Sequence, residues 1–140
     1  MKRKERCEIL IHCKENFLDK WADKLENSAQ MTLLEEPATG LVMVKMRESA
    51  QNSLFYLGEV FVSEAKVSCN GHIGIGIITG NQLQKAYDLA VIDAAYKAEL
   101  PLLSEFEIEL KKEAVRLQEE RTQKHRKIMK TKVNFDTMDV

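Results

Sequence analysis

A tight-turn signal, a glycine-spaced strand and an alanine-rich helix follow one another in this chain, and together they constrain its fold most. The dipeptide Asn70-Gly71 predicts a hairpin, because both residues tolerate positive φ. Residues 73–77 then alternate isoleucine with glycine, which removes the side chains from one face of the strand. Residues 81–98 predict a helix with an apolar stripe at helical spacing, made of Leu83, Ala86, Tyr87, Ala90, Val91, Ala94 and Ala98. We predict that this helix packs across the glycine-cleared strand.

The register of the hairpin stays open at the level of sequence. A two-residue loop of Asn70 and Gly71 pairs Lys66 with Ile75, so the isoleucines share a face with that lysine. A three-residue loop that includes His72 would instead align the isoleucines with the apolar residues of the preceding strand. A slip of one residue turns every side chain to the opposite face, so only one of these registers can hold.

Two further patterns complete a predicted α+β domain. Apolar residues at spacings of three and four over residues 5–29 predict an amphipathic N-terminal helix that ends near Asn27-Ser28. Beyond it, short apolar segments with short connections predict an antiparallel β-meander of about four to five strands. Pro37 and Gly40 mark a turn between the first two strands, and the polar residues 47–53 mark the next turn. The predicted strands span residues 31–34, 41–44, 54–62, 65–69 and 73–77.

Local signals also place the ends of the two later helices. Asn81 is the predicted N-cap of the central helix. Pro101 separates that helix from a long C-terminal helix, where Ser104 as N-cap and Glu107 three residues later fit a capping box. The C-terminal helix is predicted to continue to Lys130.

The C-terminal helix changes character halfway, and this change sets the predicted domain boundary. Its apolar positions stop at Leu117, and residues 118–127 include no apolar side chain. A helix that is polar all round is either solvated or bound along a charged partner surface. We predict a single domain over residues 1–117, followed over residues 118–140 by a charged helical arm and a C-terminal docking tail.

The charges of the chain nearly cancel, with 21 Lys and Arg against 22 Asp and Glu, but they are unevenly distributed. Residues 99–120 are mainly acidic, whereas residues 121–132 hold bases and no acid. Bases near the end of a helix complement its dipole, which explains part of this asymmetry. The alternatives are a solvated face and a docking surface for an acidic protein or, less readily, for nucleic acid. The candidate docking residues are Arg121, Lys124, Arg126 and Lys127 of the helix, and Val133, Phe135 and Met138 of the tail.

No set of residues predicts catalysis, cofactor binding or metal binding in this chain. The spaced glycines fail the dinucleotide-binding fingerprint because Thr79 occupies the third glycine position. An isolated acid such as Asp93 favours a local salt bridge over a base, and Glu59 favours an outward strand position. The three histidines fall in three different predicted elements, which gives no nucleophile–base–acid arrangement.

Composition narrows the class of protein and its compartment. With 44% apolar and 31% charged residues, the chain is too apolar for a disordered protein. Its basic N-terminus lacks the apolar segment of a signal peptide, and no apolar run approaches the length of a membrane span. Three cysteines without zinc spacing fit a reducing compartment. These features predict a cytoplasmic protein.

Taken together, the segments resemble the family of the PhnG subunit of the bacterial carbon–phosphorus lyase core complex. The resemblance extends from about Arg6 to Met138 and depends on the order and spacing of short motifs. The matching residues are Ala38-Thr39-Gly40-Leu41-Val42-Met43, Gly58-Glu59-Val60, Gly71, Gly74, Gly80, Ala90, Asp93-Ala94 and the closing Val133-Asn134-Phe135-Asp136-Thr137-Met138.

The resemblance implies a role in organic phosphonate catabolism. The family's complex forms alpha-D-ribose 1-methylphosphonate 5-triphosphate from ATP and methylphosphonate, with release of adenine. It implies that this chain is an accessory, non-catalytic subunit of a hetero-oligomer with the other core subunits. It also implies that the complex uses MgATP, that an iron–sulfur cluster and S-adenosylmethionine belong to another subunit, and that this chain holds no cofactor. The alternative is a stand-alone small domain that binds anions or nucleic acid through the basic C-terminal helix.

Overall fold

The structure, a computed structural model that describes residues 1–133, is an α+β domain with a three-stranded antiparallel sheet in the order β1-β2-β3. In chain order, the elements are α1 (Arg3–His12), α2 (Glu15–Ser28), β1 (Met31–Arg47), β2 (Leu54–Cys69), β3 (His72–Thr79), α3 (Leu83–Lys97) and α4 (Leu103–Lys130). The predicted fold class is confirmed, but the described sheet has fewer and longer strands than expected. No helix within residues 1–133 combines the length and the apolar character that crossing a membrane would need.

The predicted turn at Pro37 and Gly40 is wrong, because one continuous strand, β1, passes through it. The pairing of β1 with β2 shifts register around Glu35 and again before Ala38, so irregular backbone accommodates the proline. β1 is an edge strand, and a proline at an edge can lie where its missing N–H breaks no ladder hydrogen bond. Residues 54–62 and 65–69, predicted as two strands, form the single strand β2.

The hairpin between β2 and β3 adopts the two-residue register. Cys69 pairs with His72, and Lys66 pairs with Ile75. Asn70 and Gly71 have φ values of 50° and 83°, as a tight turn with positive φ at both central positions requires. The isoleucines therefore share the face of Lys66.

The opposite face of β3 is the one that α3 covers, as the sequence predicted. A Cβ atom added to Gly74 would overlap the backbone of Ala90, and one added to Gly76 would overlap the backbone of Ala86. Glycine is thus needed at both positions for the helix backbone to approach the strand. In β2, Ala65 and its neighbours on the helical side are fully buried, whereas the alternate residues are partly exposed.

An aromatic cluster centred on Phe106 joins three helices above the sheet. The Phe106 ring of α4 lies 5.3 Å from Trp21 of α2 and 6.0 Å from Tyr96 of α3. The Trp21 indole donates a hydrogen bond of 2.9 Å to Glu109. Phe106 and Trp21 are both almost completely buried, so this cluster is the centre of the helical layer.

The single N-terminal helix predicted over residues 5–29 is instead two helices. The backbone is extended at Cys13 and Lys14, and the N–H of Lys14 donates to the Glu113 carboxylate of α4 at 3.3 Å. A tertiary contact therefore replaces the intrahelical hydrogen bond at this point. The predicted end near Ser28 is confirmed.

Both predicted N-caps are wrong. Gln82, not Asn81, occupies the N-cap position of α3, and its N–H donates to the Ser63 hydroxyl at 2.8 Å. The same hydroxyl donates to the carbonyl of Gly80 at 2.7 Å, so a β2 side chain closes the strand-to-helix turn.

The predicted capping box of the C-terminal helix also fails. Ser104 lies inside the first turn of α4 and donates to the carbonyl of Pro101 at 3.1 Å. The Glu107 carboxylate accepts a hydrogen bond of 3.2 Å from the Tyr96 hydroxyl of α3. The end of α4 at Lys130 is confirmed.

Candidate docking surface

β1 and β2 extend beyond β3 and form a two-stranded ribbon. β3 pairs only with residues 62–69 of β2, so residues 54–61 have β1 on one side and no described strand on the other. Residues 41–47 of β1 pair with this part of β2, and a turn joins the two strands. We call residues 41–61 the β-ribbon.

The β-ribbon exposes an unusual amount of apolar surface for a soluble domain. Nine of its large apolar side chains are between 43% and 62% exposed: Leu41, Val42, Met43, Met46, Leu54, Phe55, Tyr56, Leu57 and Phe61. Isolated exposed apolar residues are ordinary, but a contiguous patch of this kind marks an interaction site.

Both faces of the β-ribbon take part. Residues that lie opposite each other in an antiparallel pair share a face, and consecutive residues alternate between faces. Leu41 lies opposite Phe61 on one face, and Val42 lies opposite Val60 on the other. A two-stranded hairpin without a core is at best marginally stable in water, so this surface favours a partner that covers it.

The tip of the β-ribbon is polar and held by its own hydrogen bonds. The Glu48 carboxylate accepts hydrogen bonds from the N–H of Gln51 at 2.8 Å and from the hydroxyl of Ser53 at 3.1 Å. The Arg47 guanidinium donates to the carbonyl of Asn52 at 2.8 Å. The turn therefore closes without help from another chain, and the apolar surface begins directly behind it.

A β-bulge changes the direction of the side chains in the middle of the β-ribbon. Val44 pairs with Gly58 but Lys45 pairs with Tyr56, which leaves Leu57 as the extra residue on β2. Bulges increase local twist and redirect side chains. The ammonium of Lys45 lies 5.0 Å from the centre of the Tyr56 ring and flanks the apolar patch with a charge.

The docking residues predicted on the C-terminal helix lie on the exposed second half of α4. Arg121 forms an ion pair with Glu8 of α1 at 3.1 Å, and Lys124, Arg126 and Lys127 are exposed. Val133 is 66% exposed. Phe135 and Met138 lie outside the described residues. The assignment of these residues to docking, like the domain boundary at residue 117, stays a prediction.

Asp93 forms the local ion pairs that the sequence favoured. Its carboxylate accepts hydrogen bonds from Arg3 at 2.9 Å and from the N–H of Ile75 at 3.1 Å. Lys97 lies 3.0 Å away and Arg6 lies 3.4 Å away. Three cations and one backbone donor from α1, α3 and β3 thus converge on a buried carboxylate.

These contacts determine the charge state of Asp93 and fix α1. Burial alone would raise the pKa of Asp93, but the N–H of Ile75, the Lys97 ammonium and the Arg3 guanidinium outweigh burial and hold that pKa below its usual range. The carboxylate is therefore ionised at neutral pH and secures α1 against β3. A cavity of about 220 Å³ beside this cluster has mostly apolar walls, and Asp93 already engages the arginines that line it.

Asp88 is a second buried carboxyl group, on the side of α3 that faces α2. Burial raises the pKa of Asp88 to about 7, and the nearby carboxylates of Asp19 and Asp23 add to this effect, although a hydrogen bond from Gln84 opposes it. Within residues 1–133, its Oδ2 atom has no hydrogen-bond partner. The residue is only 2% exposed, so this group acts on stability rather than on a ligand.

The other groups considered from sequence do not come together as a reactive site. His12, His72 and His125 lie on α1, β3 and α4, and Glu59 is an exposed residue of the β-ribbon. Burial raises the pKa of the Cys13 thiol to about 11, which keeps it from acting as a nucleophile at neutral pH. Within the described part of the chain, no three His, Cys, Asp or Glu side chains are grouped to hold a metal ion.

Sequence reasoning missed the β-ribbon. The signal was the two unbroken apolar runs, residues 41–44 and residues 54–57, which do not alternate with polar residues as a half-buried strand does. Unbroken runs are typical of strands buried on both faces. The predicted helices of this chain can cover only one face of the sheet. A strand that is apolar on both faces therefore indicates that another protein covers the second face.

Comparisons with known proteins agree with the resemblance in the sequence. The model of the family described as phosphonate metabolism protein PhnG matches residues 1–139. A relative from Rhizobium meliloti (strain 1021), the alpha-D-ribose 1-methylphosphonate 5-triphosphate synthase subunit PhnG, is 30% identical over 142 residues. The matched region covers 97% of this chain and 87% of that relative.

Proposed function

The chain belongs to the PhnG family of phosphonate metabolism proteins, and we propose that it is a subunit of the carbon–phosphorus lyase core complex. That complex is the alpha-D-ribose 1-methylphosphonate 5-triphosphate synthase, which joins methylphosphonate to the ribose of ATP and releases adenine. The chain takes part in organic phosphonate catabolism together with the other core subunits.

Within the complex, the chain is an accessory subunit without catalytic residues of its own. The buried carboxyl groups of Asp88 and Asp93 are too enclosed to meet a substrate, and Asp93 is fully engaged by its ion pairs. MgATP, the iron–sulfur cluster and S-adenosylmethionine belong to other subunits. Cys13 and Cys69 of this chain are buried in its core, where a free thiol packs as a small apolar side chain.

The observation that carries this proposal is the apolar β-ribbon. Fully burying one large apolar side chain contributes roughly 1.5–3 kcal/mol, and the nine side chains are about half exposed. Covering them would contribute on the order of 10 kcal/mol before the costs of association are subtracted. A subunit that docks through the β-ribbon gains this contribution, whereas a stand-alone domain would leave the surface in water.

The basic half of α4 adds a second, polar contact in this proposal. Arg121, Lys124, Arg126 and Lys127 face solvent, and exposed charges of this kind steer association more than they add affinity. The alternative of a stand-alone nucleic-acid-binding domain gives the β-ribbon no role.

Co-expression with the other core subunits tests the proposal. The triple variant Leu41→Asn, Tyr56→Asn and Leu57→Asn removes three of the most exposed side chains of the β-ribbon while leaving the core intact. We expect the variant to fold but to be lost from the purified complex, and we expect the isolated wild-type chain to release no adenine from ATP and methylphosphonate.

Two results would contradict the proposal, and each concerns a different part of it. Normal co-purification of the triple variant would show that the chain does not dock through the β-ribbon. Adenine release by the isolated chain would show that the subunit is catalytic. The double variant Ile108→Asn and Val115→Asn is the control, because these two apolar side chains are each 58% exposed and lie on α4 rather than on the β-ribbon.

A further inference from the structure

Arg6 of α1 is a buried cation with weak pairing. Its side chain is 7% exposed, and its one ion pair within residues 1–133, with the Asp93 carboxylate, has a distance of 3.4 Å. The centre of the guanidinium lies 3.6 Å from the centre of the Tyr96 ring, which adds a cation–π contact. A guanidinium has five N–H donors in a planar fork, so one long contact leaves donors for a second acceptor.

The Asp93 carboxylate does not fully balance Arg6, because two other cations hold it more closely. Arg3 donates to both carboxylate oxygens, at 2.9 Å and 3.1 Å, and Lys97 lies 3.0 Å away. Three cations around one carboxylate leave an excess of two positive charges. Water screens the charges of the exposed Arg3 and Lys97, whereas the charge of Arg6 is enclosed. An incompletely paired buried charge is costly, so Arg6 favours an additional anion.

Arg6 lies in the wall of the cavity of about 220 Å³ that α1, β3 and α3 enclose. Isoleucine and leucine side chains from all three elements form most of this wall, and Asp93 is the only acid among the described residues in it. Ile11 and Ile77 of the wall are exposed, so a small molecule can enter from their side. An apolar cavity of about 150 Å³ can hold benzene, so this one has room for an aromatic ring and a carboxylate.

We propose that this cavity binds a small organic acid, whose carboxylate pairs with Arg6 and whose apolar part lies against the isoleucine and leucine side chains. The two oxygens of a carboxylate match the parallel N–H donors of a guanidinium, which gives a bidentate pair. A phosphoryl dianion would bring a second charge into mostly apolar surroundings, and this desolvation cost favours the single charge of a carboxylate. Apolar walls with one charged group that sets the orientation are typical of small-molecule sites.

The bound acid fastens α1 to the rest of the domain. Arg6 belongs to α1, whereas β3 and α3 supply the opposite parts of the cavity wall, so the ligand joins the three elements. A ligand that binds only the folded chain stabilises it increasingly as the ligand concentration rises. This inference goes beyond the proposed function, because the cavity lies outside the β-ribbon and needs no other subunit.

Alkylation of Cys7 tests the proposal in the full-length chain, alone or in the co-expressed complex, with benzoate as the probe. Cys7 lines the cavity and is partly exposed, whereas Cys13 and Cys69 are buried. At about ten times its dissociation constant, benzoate occupies about nine tenths of the sites, so it should slow modification of Cys7 by iodoacetamide about tenfold. Peptide mass spectrometry measures this modification, and the melting temperature should rise over the same range of benzoate concentrations.

Three related compounds separate the charge of the ligand from its apolar part. Benzamide lacks the charge and acetate lacks the ring, so each should bind at least about tenfold more weakly than benzoate. Phenylphosphonate keeps the ring but carries a dianion at neutral pH, and it should also bind more weakly than benzoate.

Two variants test the residues of the site. Arg6→Met should abolish the protection of Cys7, and it should fold because Asp93 keeps its two other cations. Ile11→Trp should narrow the entrance of the cavity and weaken benzoate binding without removing the guanidinium. Its matched control is Ile108→Trp, because Ile108 is an exposed isoleucine of α4 that does not line the cavity.

Four outcomes would overturn the proposal. Equal protection by benzamide and benzoate would show an apolar cavity without an anion site, and tighter binding of phenylphosphonate would assign the site to phosphoryl groups. Unchanged alkylation and melting temperature in millimolar benzoate would exclude the site, as would equal protection of Cys7 in Arg6→Met and the wild type. Docking through the β-ribbon is measured by co-purification, so none of these results bears on the proposed function.

Discussion

Replacing Asp88 with asparagine should stabilise this protein, and more so as the pH rises. Burial raises the pKa of this carboxyl group to about 7, compared with about 4 for an aspartate in water. The difference of about 3 pKa units corresponds to roughly 4 kcal/mol at about 1.4 kcal/mol per unit, which is the largest effect expected. Asparagine keeps the shape of the side chain and cannot ionise.

The sign follows from proton binding. Between the unfolded and the folded pKa, the folded state holds a proton on Asp88 that the unfolded state has lost. The folded state therefore loses stability as the pH rises from about 4 to about 7, and the loss is complete above that range. Asp88→Asn removes this loss, so its advantage over the wild type should be absent near pH 4 and greatest near pH 8.

Urea unfolding of the wild type and the variant across this pH range measures the effect. The control is Asp23→Asn, because Asp23 is an exposed neighbour that raises the pKa of Asp88 only through its charge. We expect the control to produce a smaller, parallel gain. A difference between Asp88→Asn and the wild type that does not change with pH, or a loss of stability near pH 8, would refute the reasoning.

Three further variants test other parts of the structure. Asp93→Asn should destabilise the fold by roughly 3–5 kcal/mol at neutral pH, because it leaves the buried Arg6 guanidinium without its counter-ion. The difference from wild type in urea unfolding should shrink as the pH falls through the lowered pKa of Asp93, and a difference that does not change with pH would contradict this account. Gly76→Ala should lower the melting temperature through overlap with Ala86, at a cost of at least about 1–3 kcal/mol, whereas Gly40→Ala, with open space around it, should not. Changing the four basic docking candidates of α4 to glutamine should alter the free energy of unfolding by less than about 0.5 kcal/mol, because these side chains are exposed. The same change should weaken co-purification with the other core subunits. Unchanged co-purification would show that these residues have no docking role.

Local chemistry made part of this fold predictable. The packing of α3 on β3 followed from Gly74 and Gly76 opposite an alanine stripe, because close approach requires small residues on both sides. The hairpin register stayed open at the level of sequence, although it follows from this packing once the glycine face of β3 is taken as its core face. Turn chemistry favoured the two-residue loop that the structure has. The isoleucines of β3 favoured the other register, because apolar side chains usually face the core, but in β3 the glycines face it.

The misplaced elements depend on contacts distant in sequence. The break between α1 and α2 comes from Glu113, about a hundred residues later, and the start of α3 is held by Ser63 of a strand. Pro37 predicted a turn because sequence does not reveal that β1 is an edge strand. The ion pairs of Asp93 likewise join residues from opposite ends of the domain.

The β-ribbon could not be distinguished from a buried strand for a more general reason. A run of apolar residues indicates that both faces of a strand are covered. It does not indicate whether the same chain or another chain covers them. The docking prediction was made for the charged arm on α4 because its charge pattern is visible in the sequence. The structure adds the larger apolar surface of the β-ribbon, where Leu41 and Leu57 are both more than half exposed.

The most direct test of the central claim is to measure complex assembly and adenine release together for the triple β-ribbon variant Leu41→Asn, Tyr56→Asn and Leu57→Asn. The account predicts a folded subunit that no longer co-purifies with the other core subunits, and a preparation with correspondingly reduced adenine release from ATP and methylphosphonate. A complex of normal composition and activity that contains the variant would contradict the claim that this chain docks through its β-ribbon.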